Sequence, residues 1–298
     1  MIDNAQPSIL PAPPVLARYL SFDVSPGASA ADIKAALQTL PVDERLTVGI
    51  GEPLVSCCGA VIEGLRTFPA LSGPGVYAPS IQHGLWCWLR GDDRGELLLR
   101  ANAICSALEG LLELREVVDG FKHGDQPLGR DLTGYEDGTE NPTGEAAEQA
   151  ALVGADRPGL AGSSFVAVQK WVHDLHGFAG MTTTEQDHAI GRRKSDNEEL
   201  EDAPESAHVK RTEQESFSPP AFVLRRSMPF SETENAGLQF VAFGCSLEAF
   251  EVQLRRMLGL EDGIVDALFQ FSRPVSGGYY WCPPVSNGHL DLSMLEAR

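Results

Sequence analysis

Apolar residues recur along the first half of the chain with periods of two and of three to four, which predict strands and helices respectively. Strands are predicted at residues 15–24, 46–51, 83–90 and 114–119. Ser29 is the expected N-cap of a helix between the first two strands, and a second helix is expected over residues 97–111. The predicted order of elements is therefore βαββαβ.

The second half of the chain repeats this order without repeating the residues. Strands are predicted at residues 164–172, 222–227, 238–244 and 279–281. Thr182 and Glu185 form an expected capping box, and Ser246 is the expected cap of a later helix that ends at Gly259. Two βαββαβ units predict an α+β fold made of two ferredoxin-like domains with antiparallel sheets.

Changes in composition divide the chain into four parts. Residues 1–14 are rich in proline and lack periodicity, so we expect an N-terminal arm, and arms of this kind can pack on a neighbouring subunit. Residues 15–140 form the expected N-terminal domain, residues 141–162 a connecting loop and residues 163–298 the C-terminal domain. We also expect a homo-oligomer.

The chain is strongly acidic, which limits its partners. With 23 Lys and Arg against 42 Asp and Glu among 298 residues, the formal net charge is −19. Nucleic acids and anionic membranes would repel such a surface, so neither is an expected partner. The six cysteines include no CxxC pair and no cluster with zinc spacing, which favours reduced thiols. Because the N-terminus shows no signal segment and no window is apolar enough to span a membrane, we expect a soluble, cytoplasmic protein.

Residues 131–142 combine two glycines, an Asn-Pro pair and four acidic side chains, which is incompatible with a regular helix or a central strand. Gly138 permits a backbone angle that strains other residues, and Pro142 biases Asn141 towards an extended conformation. Asp137 would therefore be held at a tight bend. The alternative is an ordinary turn whose acidic side chains face water.

Residues 134–142, with the sequence GYEDGTENP, resemble the signature of the dye-decolorising (DyP-type) haem peroxidases. Two later segments, AHVKR at 207–211 and VLRRSMPF at 223–230, resemble the family's proximal-histidine and distal-arginine segments and follow in the expected order. Their spacing is similar to that of the compact bacterial B-type branch. The C-terminus does not resemble the tail that targets some relatives to encapsulin shells.

The resemblance implies one haem b per chain, held mainly by the C-terminal domain. It implies His208 as the axial ligand of the iron, with Asp266 as the partner of its second ring nitrogen. Asp137 would move a proton of hydrogen peroxide, and Arg225 would stabilise the negative charge that develops on the leaving oxygen. The implied activity is reduction of hydrogen peroxide and oxidation of dyes, phenolics or other bulky donors through a ferryl (Compound I) intermediate.

Several of these assignments compete with other interpretations. His173 is the second candidate ligand, although a structural hydrogen bond is the expectation there. Arg226 competes with Arg225, but adjacent strand residues point to opposite faces, so only one should reach the iron. Ser227 would share the face of Arg225, and Asp266 could equally be an acid on a helix surface.

Two further assignments concern the surroundings of the haem, and a third alternative concerns the function. Arg192, in a segment similar to the family's Gly-Arg-x-Lys, would bind a haem propionate, or else would lie at a solvated helix end. Phe230 would line the cofactor, although apolar residues after a strand are usually core. The alternative function is a haem-handling protein for binding, transfer or iron release, but such a protein has no need of Asp137 and Arg225 together.

Overall fold

The structure is a computed structural model that describes residues 4–296, and its backbone is a mixture of fourteen strands and eight α-helices within that range. The strands are β1 (Leu16–Val24), β2 (Leu46–Gly51), β3 (Leu71–Gly73), β4 (Val76–Ala78), β5 (Leu85–Gly91), β6 (Leu112–Phe121), β7 (Ser164–His173), β8 (Leu224–Arg225), β9 (Met228–Ser231), β10 (Ala236–Gly244), β11 (Ser272–Pro274), β12 (Gly278–Cys282), β13 (Val285–Ser286) and β14 (His289–Leu290). The helices are α1 (Ala30–Gln38), α2 (Glu52–Cys57), α3 (Arg94–Ala107), α4 (Gly144–Ala151), α5 (Leu175–Gly180), α6 (Thr183–Ile190), α7 (His208–Arg211) and α8 (Glu248–Met257).

The long strands of both halves belong to one antiparallel sheet. In the first half the strand order is β2-β5-β1-β6, and in the second half β12 pairs with β7, which pairs with β10. The halves are joined twice, because Gly120 of β6 lies opposite Phe230 of β9 and Trp281 of β12 lies opposite Ile50 of β2. The sheet thus closes on itself like a barrel. The predicted α+β class is confirmed, but the strands do not form two separate sheets.

The two faces of this sheet carry different cores. On β7, Phe165, Ala167 and Trp171 pack on the side covered by helices such as α1, α3 and α8. Val166 and Val168, between them in sequence, belong to the cluster enclosed by the sheet. Successive strand residues point to opposite faces, which explains the division. The candidate site lies on the helix-covered face of the second half.

The N-terminal segment packs against this sheet. Ile9 is fully buried, and the Gln6 side chain both donates to the Val48 carbonyl oxygen and accepts from the Val48 N–H at 2.8 Å. The sequence predicts an arm rather than core over residues 1–14, and the packing of residues 4–14 shows that this prediction is wrong for them. A side-chain amide can satisfy the polar groups of a strand without itself showing the periodicity of a strand. Residues 1–3 lie outside the described range.

Local signals at the helix ends were mostly reliable. Ser29 accepts from the Asp32 N–H, and Thr182 forms the predicted capping box with Glu185. The cap predicted at Ser246 is wrong, because α8 begins after Leu247 without a side-chain cap bond. The predicted strand at 222–227 is shorter and is followed by β9. All six cysteines are free, and among the described residues no helix is long and apolar enough to cross a membrane.

Candidate active site

A small hairpin displays the GYEDGTENP segment. Arg130 and Glu136 form a β-bridge, and the Asp131 N–H donates to the Tyr135 carbonyl oxygen at 2.9 Å. The Asp137 N–H donates to the Gly129 carbonyl oxygen at 3.3 Å. Asp131, Tyr135 and Asp137 line the same cavity, and so do Thr133 and Glu136.

Gly138 makes the bend after Asp137. Its φ of +74° lies in the left-handed region, and a Cβ at this position would approach Asn141 Nδ2 and Leu128 Cδ1 to 2.6 Å. Only glycine therefore fits this position without a shift of its neighbours. The tight bend predicted from the sequence is present.

The cavity beside this hairpin lies between the helix-covered faces of β7 and β10 and helix α8. Its empty volume is about 940 Å³, part of it open to solvent, and a second cavity of about 980 Å³ adjoins it. Asp137, His208 and Arg225 line both cavities. Much of the first cavity's wall is apolar, with contributions from Ile190, Leu238, Phe240, Leu254, Met257 and Phe271. A mostly apolar ligand matches such walls.

His208 begins α7 and is hydrogen-bonded to a buried carboxylate. Its Nδ1 lies 2.8 Å from Oδ2 of Asp266, whose side chain is fully buried. The other carboxylate oxygen of Asp266 accepts from the Leu268 N–H at 2.8 Å. Because a carboxylate oxygen accepts, Nδ1 of His208 donates to Asp266, and Nε2 is left to bind a metal. The structure thus brings the predicted ligand and its predicted partner together.

Asp137 is partly buried at the junction of the two cavities. Burial raises the pKa of its carboxyl group above the usual range, and Arg225 opposes that effect. Asp131 raises the pKa further, while the Gly138 N–H acts to lower it. A carboxyl group of this kind can hold or accept a proton near neutral pH.

The adjacent arginines Arg225 and Arg226 have separate roles. Arg225 lines both cavities, whereas Arg226 donates from Nε to the Pro11 carbonyl oxygen at 2.8 Å and also binds the Leu10 carbonyl oxygen of the N-terminal segment. Because adjacent strand residues point to opposite faces, Arg225 faces the cavities and Arg226 does not. Burial, followed by the charge of Arg90, lowers the pKa of Arg226 to about 10.

Arg192 lies at the rim of the second cavity. Its guanidinium is paired with Glu140 and, at 3.4 Å, with Glu199, and it also donates to the Asn197 carbonyl oxygen at 2.9 Å. Gly191, just before it, ends α6 with a φ of +96°. A cation already paired with carboxylates at a cavity rim is chemically suited to a carboxylate of a ligand.

Two predicted cofactor contacts do not reach the cavity wall. Phe230 is fully buried in the cluster enclosed by the sheet, because it is an odd number of positions from Arg225 and points to the other face. Ser227 shares the parity of Arg225, but its hydroxyl accepts from the Val241 N–H at 3.2 Å. Neither side chain lines the cavity that contains His208.

His173 also lines the first cavity. The sequence predicts only a structural hydrogen bond for this residue. Its Nδ1 lies 2.7 Å from Oγ of Ser272, and its Nε2 lies 3.0 Å from Oδ1 of Asp131. The pairing with Asp131 was missed. Asp131 opens the acidic segment, but the two residues are 42 positions apart and nothing between them signals that they meet.

Comparison with known proteins places this geometry in a family. Residues 129–287 match the family model described as Dyp-type peroxidase, C-terminal, which is more than half of the chain. A dye-decolorizing peroxidase of Mycolicibacterium paratuberculosis is 33% identical over 227 residues, which are 74% of this chain and 63% of that protein. The match thus spans less than two thirds of that relative's own length.

Solved structures agree with this match. A variant of DypB from Rhodococcus jostii in complex with haem superposes with a TM-score of 0.87 at 27% identity, covering 97% of each chain. A dye-decolorizing protein from V. cholerae has a TM-score of 0.82 at 30% identity, covering 94% of this chain and 97% of that one. The chain therefore belongs to the dye-decolorising (DyP-type) peroxidase family.

Proposed function

We propose that this chain is a haem peroxidase that reduces hydrogen peroxide and oxidises dyes, phenolics or other bulky electron donors. One observation carries the proposal: the histidine paired with a buried carboxylate, His208, lines the same two cavities as Asp137 and Arg225. A haem-handling protein would need the histidine but not the acid and the arginine. The joint presence of all three favours catalysis.

The residues around the cavities are suited to haem b, one per chain. His208 would bind the iron through Nε2, and Asp266 would hold the ring and increase the basicity of the ligand. Apolar residues from α8 and β10 would cover the porphyrin faces, and Arg192 at the rim would bind a propionate in place of a glutamate. The residues present therefore fit the group. We infer the B-type branch from the motif spacing.

Bound haem would supply the redox centre, which peroxide oxidises by two electrons and which donors reduce one electron at a time. The protein's part is acid–base and electrostatic. Asp137 would take the proton from one peroxide oxygen and deliver it to the other, leaving oxygen. The guanidinium of Arg225 would stabilise the negative charge that builds up on that oxygen.

Asp137 must be ionised to accept the first proton. Because burial raises its pKa, the fraction of active base increases with pH through a window above the ordinary range of an aspartic acid. The rate of the peroxide reaction should therefore fall on the acid side. Arg225 opposes the effect of burial on the pKa of Asp137. The loss of rate should therefore occur at a lower pH than burial alone would set.

Stopped-flow absorbance tests the proposal and separates an enzyme from a carrier. The haem-loaded wild type is mixed with one equivalent of peroxide and then with a dye or phenol, and the double variant Asp137→Asn/Arg225→Leu is the comparison. We expect both proteins to bind haem. Only the wild type should show a rapid spectral change that the donor reverses. A wild type that bleaches without a donor-reversible change would favour haem handling.

We also infer that each half is a ferredoxin-like unit and that the second half holds most of the haem. The strand order within each half supports the first inference, and the location of His208, Arg225 and Asp266 supports the second. We also propose that the chain forms a homo-oligomer. Sedimentation of the purified chain would test this oligomeric state.

A further inference from the structure

The first cavity has a second acid–histidine pair in its wall, formed by Asp131 and His173, that the proposed chemistry does not use. The His173 side chain is only 4% exposed and that of Asp131 16%, and both residues line the cavity. The two nitrogens of His173 are held between Asp131 and Ser272 at 3.0 and 2.7 Å. Such a pair is too enclosed to be an incidental surface contact.

Asp131 is fixed at the start of the hairpin that carries Asp137. Its Oδ1 faces His173, and its Oδ2 accepts from the Thr133 N–H at 2.8 Å and from the Thr133 hydroxyl at 2.5 Å. Asp131 and Asp137 belong to one hairpin, and both line the same cavity. Two carboxylates on one partly buried face repel each other unless one of them is neutralised.

We propose that His173 and Asp131 form a positioning pair, in which His173 anchors the hairpin and offsets the Asp131 charge that Asp137 would otherwise face. His173 reaches the hairpin from the end of β7, a rigid strand of the closed sheet. The pair would therefore control both where Asp137 lies and whether it is ionised. Its effect on the peroxide reaction rests on the proposed function.

Charged residues of other elements also act on this pair of carboxylates. Arg225 of β8 favours the ionised form of Asp137, and Asp131 of its own hairpin disfavours it. Lys194, from the segment after α6, acts on Asp131 together with His173. Burial alone would raise the pKa of Asp131, but the hydrogen bond and charge of His173 hold it below the usual range. Asp131 thus stays ionised beside Asp137.

Two single substitutions should move Asp137 in opposite directions. Asp131→Asn removes the like charge, so Asp137 should ionise at lower pH, whereas His173→Gln leaves Asp131 less compensated, so Asp137 should ionise at higher pH. Asp131→Glu should restore the wild-type profile. Ser272→Ala, which changes no charge, should shift it little.

Infrared titration of the haem-loaded full chain measures this directly through the protonated carboxyl band that Asp137→Asn removes. The acid limb of the peroxide rate gives a second readout. Opposite displacements of Asp137 in Asp131→Asn and His173→Gln support the pair. Displacements in the same direction, or none, overturn it.

The two readouts also separate this inference from the proposed function. If the infrared titrations diverge but the wild type does not react with peroxide, the pair stands and the peroxidase proposal fails. If the wild type reacts and the titrations do not diverge, the peroxidase proposal stands and the pair fails. If either Asp131→Asn or His173→Gln does not fold, the test uses the other of the two together with Asp131→Glu. The profile of Asp131→Glu must then match that of the wild type.

Discussion

Asn141 holds both backbone polar groups of Arg225. Its Oδ1 accepts from the Arg225 N–H at 2.7 Å, and its Nδ2 donates to the Arg225 carbonyl oxygen at 3.1 Å. Asn141 belongs to the same segment as Asp137, so one loop carries the acid and fixes the backbone of the arginine. The relative placement of the two side chains is therefore built into the GYEDGTENP segment.

Removing this amide should loosen Arg225 without removing any charge. We expect Asn141→Ala to lower the free energy of unfolding by about 1 to 3 kcal/mol, since it removes two hydrogen bonds. The second-order rate constant with peroxide should fall by about tenfold to 10²-fold, because a small misplacement of a positioned group is costly. Gln149→Ala, which removes an exposed amide from α4, is the control. An unchanged rate in a destabilised Asn141→Ala protein would contradict this positioning role.

Gly138 offers a test of the bend itself. Gly138→Ala and Gly144→Ala both place a Cβ on a residue with positive φ, at +74° and +55°, but only the first meets atoms at 2.6 Å. Both should lose about 1 kcal/mol from backbone strain. Gly138→Ala should lose more and also react more slowly with peroxide because Asp137 shifts. Equal effects in the two variants, measured by denaturant unfolding and stopped flow, would show that the contact is unimportant.

The raised pKa of Asp137 has a consequence for stability. Between its unfolded value near 3.9 and its higher folded value, the folded state binds more protons than the unfolded state. This contribution to stability is therefore present at low pH and lost as pH rises through that window. Asp137→Asn has no such loss, so its stability relative to the wild type should be greater at about pH 7 than at about pH 4. Urea unfolding at both values checks the sign, and a constant difference would contradict it.

Asp137 and Arg225 should not contribute equally to the peroxide reaction. A proton carrier is typically worth about 10² to 10⁴-fold, but water in an open cavity can replace part of a missing carboxylate. A fixed charge is commonly worth about 10² to 10³-fold, and no solvent molecule restores it. We expect Arg225→Leu to be slower than Asp137→Asn, whose residual rate should rise with pH. Second-order rate constants of both variants from about pH 5 to pH 9 test this ranking. A larger loss of rate in Asp137→Asn than in Arg225→Leu would contradict it.

The sequence predicted what depends on local periodicity and on motif order. The spans of β2 and β7 were nearly correct, and His208, Asp266, Asp137 and Arg225 lie around one site. The strand pattern could also have excluded Phe230, because strict alternation from Arg225 points it to the other face. That inference was available from sequence alone.

Other features depend on contacts between distant segments. Closure of the sheet requires β6 to meet β9 and β12 to meet β2, and no periodicity specifies which strands pair. The burial of Gln6 and the pairing of Asp131 with His173 likewise join segments that are far apart in the chain. Ser227 had the correct parity, but its hydroxyl turned to a backbone N–H of its own sheet.

Titration of the full chain with haem is the most direct test of His208 as the ligand. The structure supplies a matched control, because His83 forms a similar pair with Asp23 at 2.8 Å in the other half of the chain. We expect the wild type and His83→Ala to bind one haem with the Soret band of a histidine-ligated ferric iron. His208→Ala should lose or loosen the haem while its far-ultraviolet circular dichroism stays that of the folded chain. Full haem binding with an unchanged spectrum in His208→Ala would contradict the assignment.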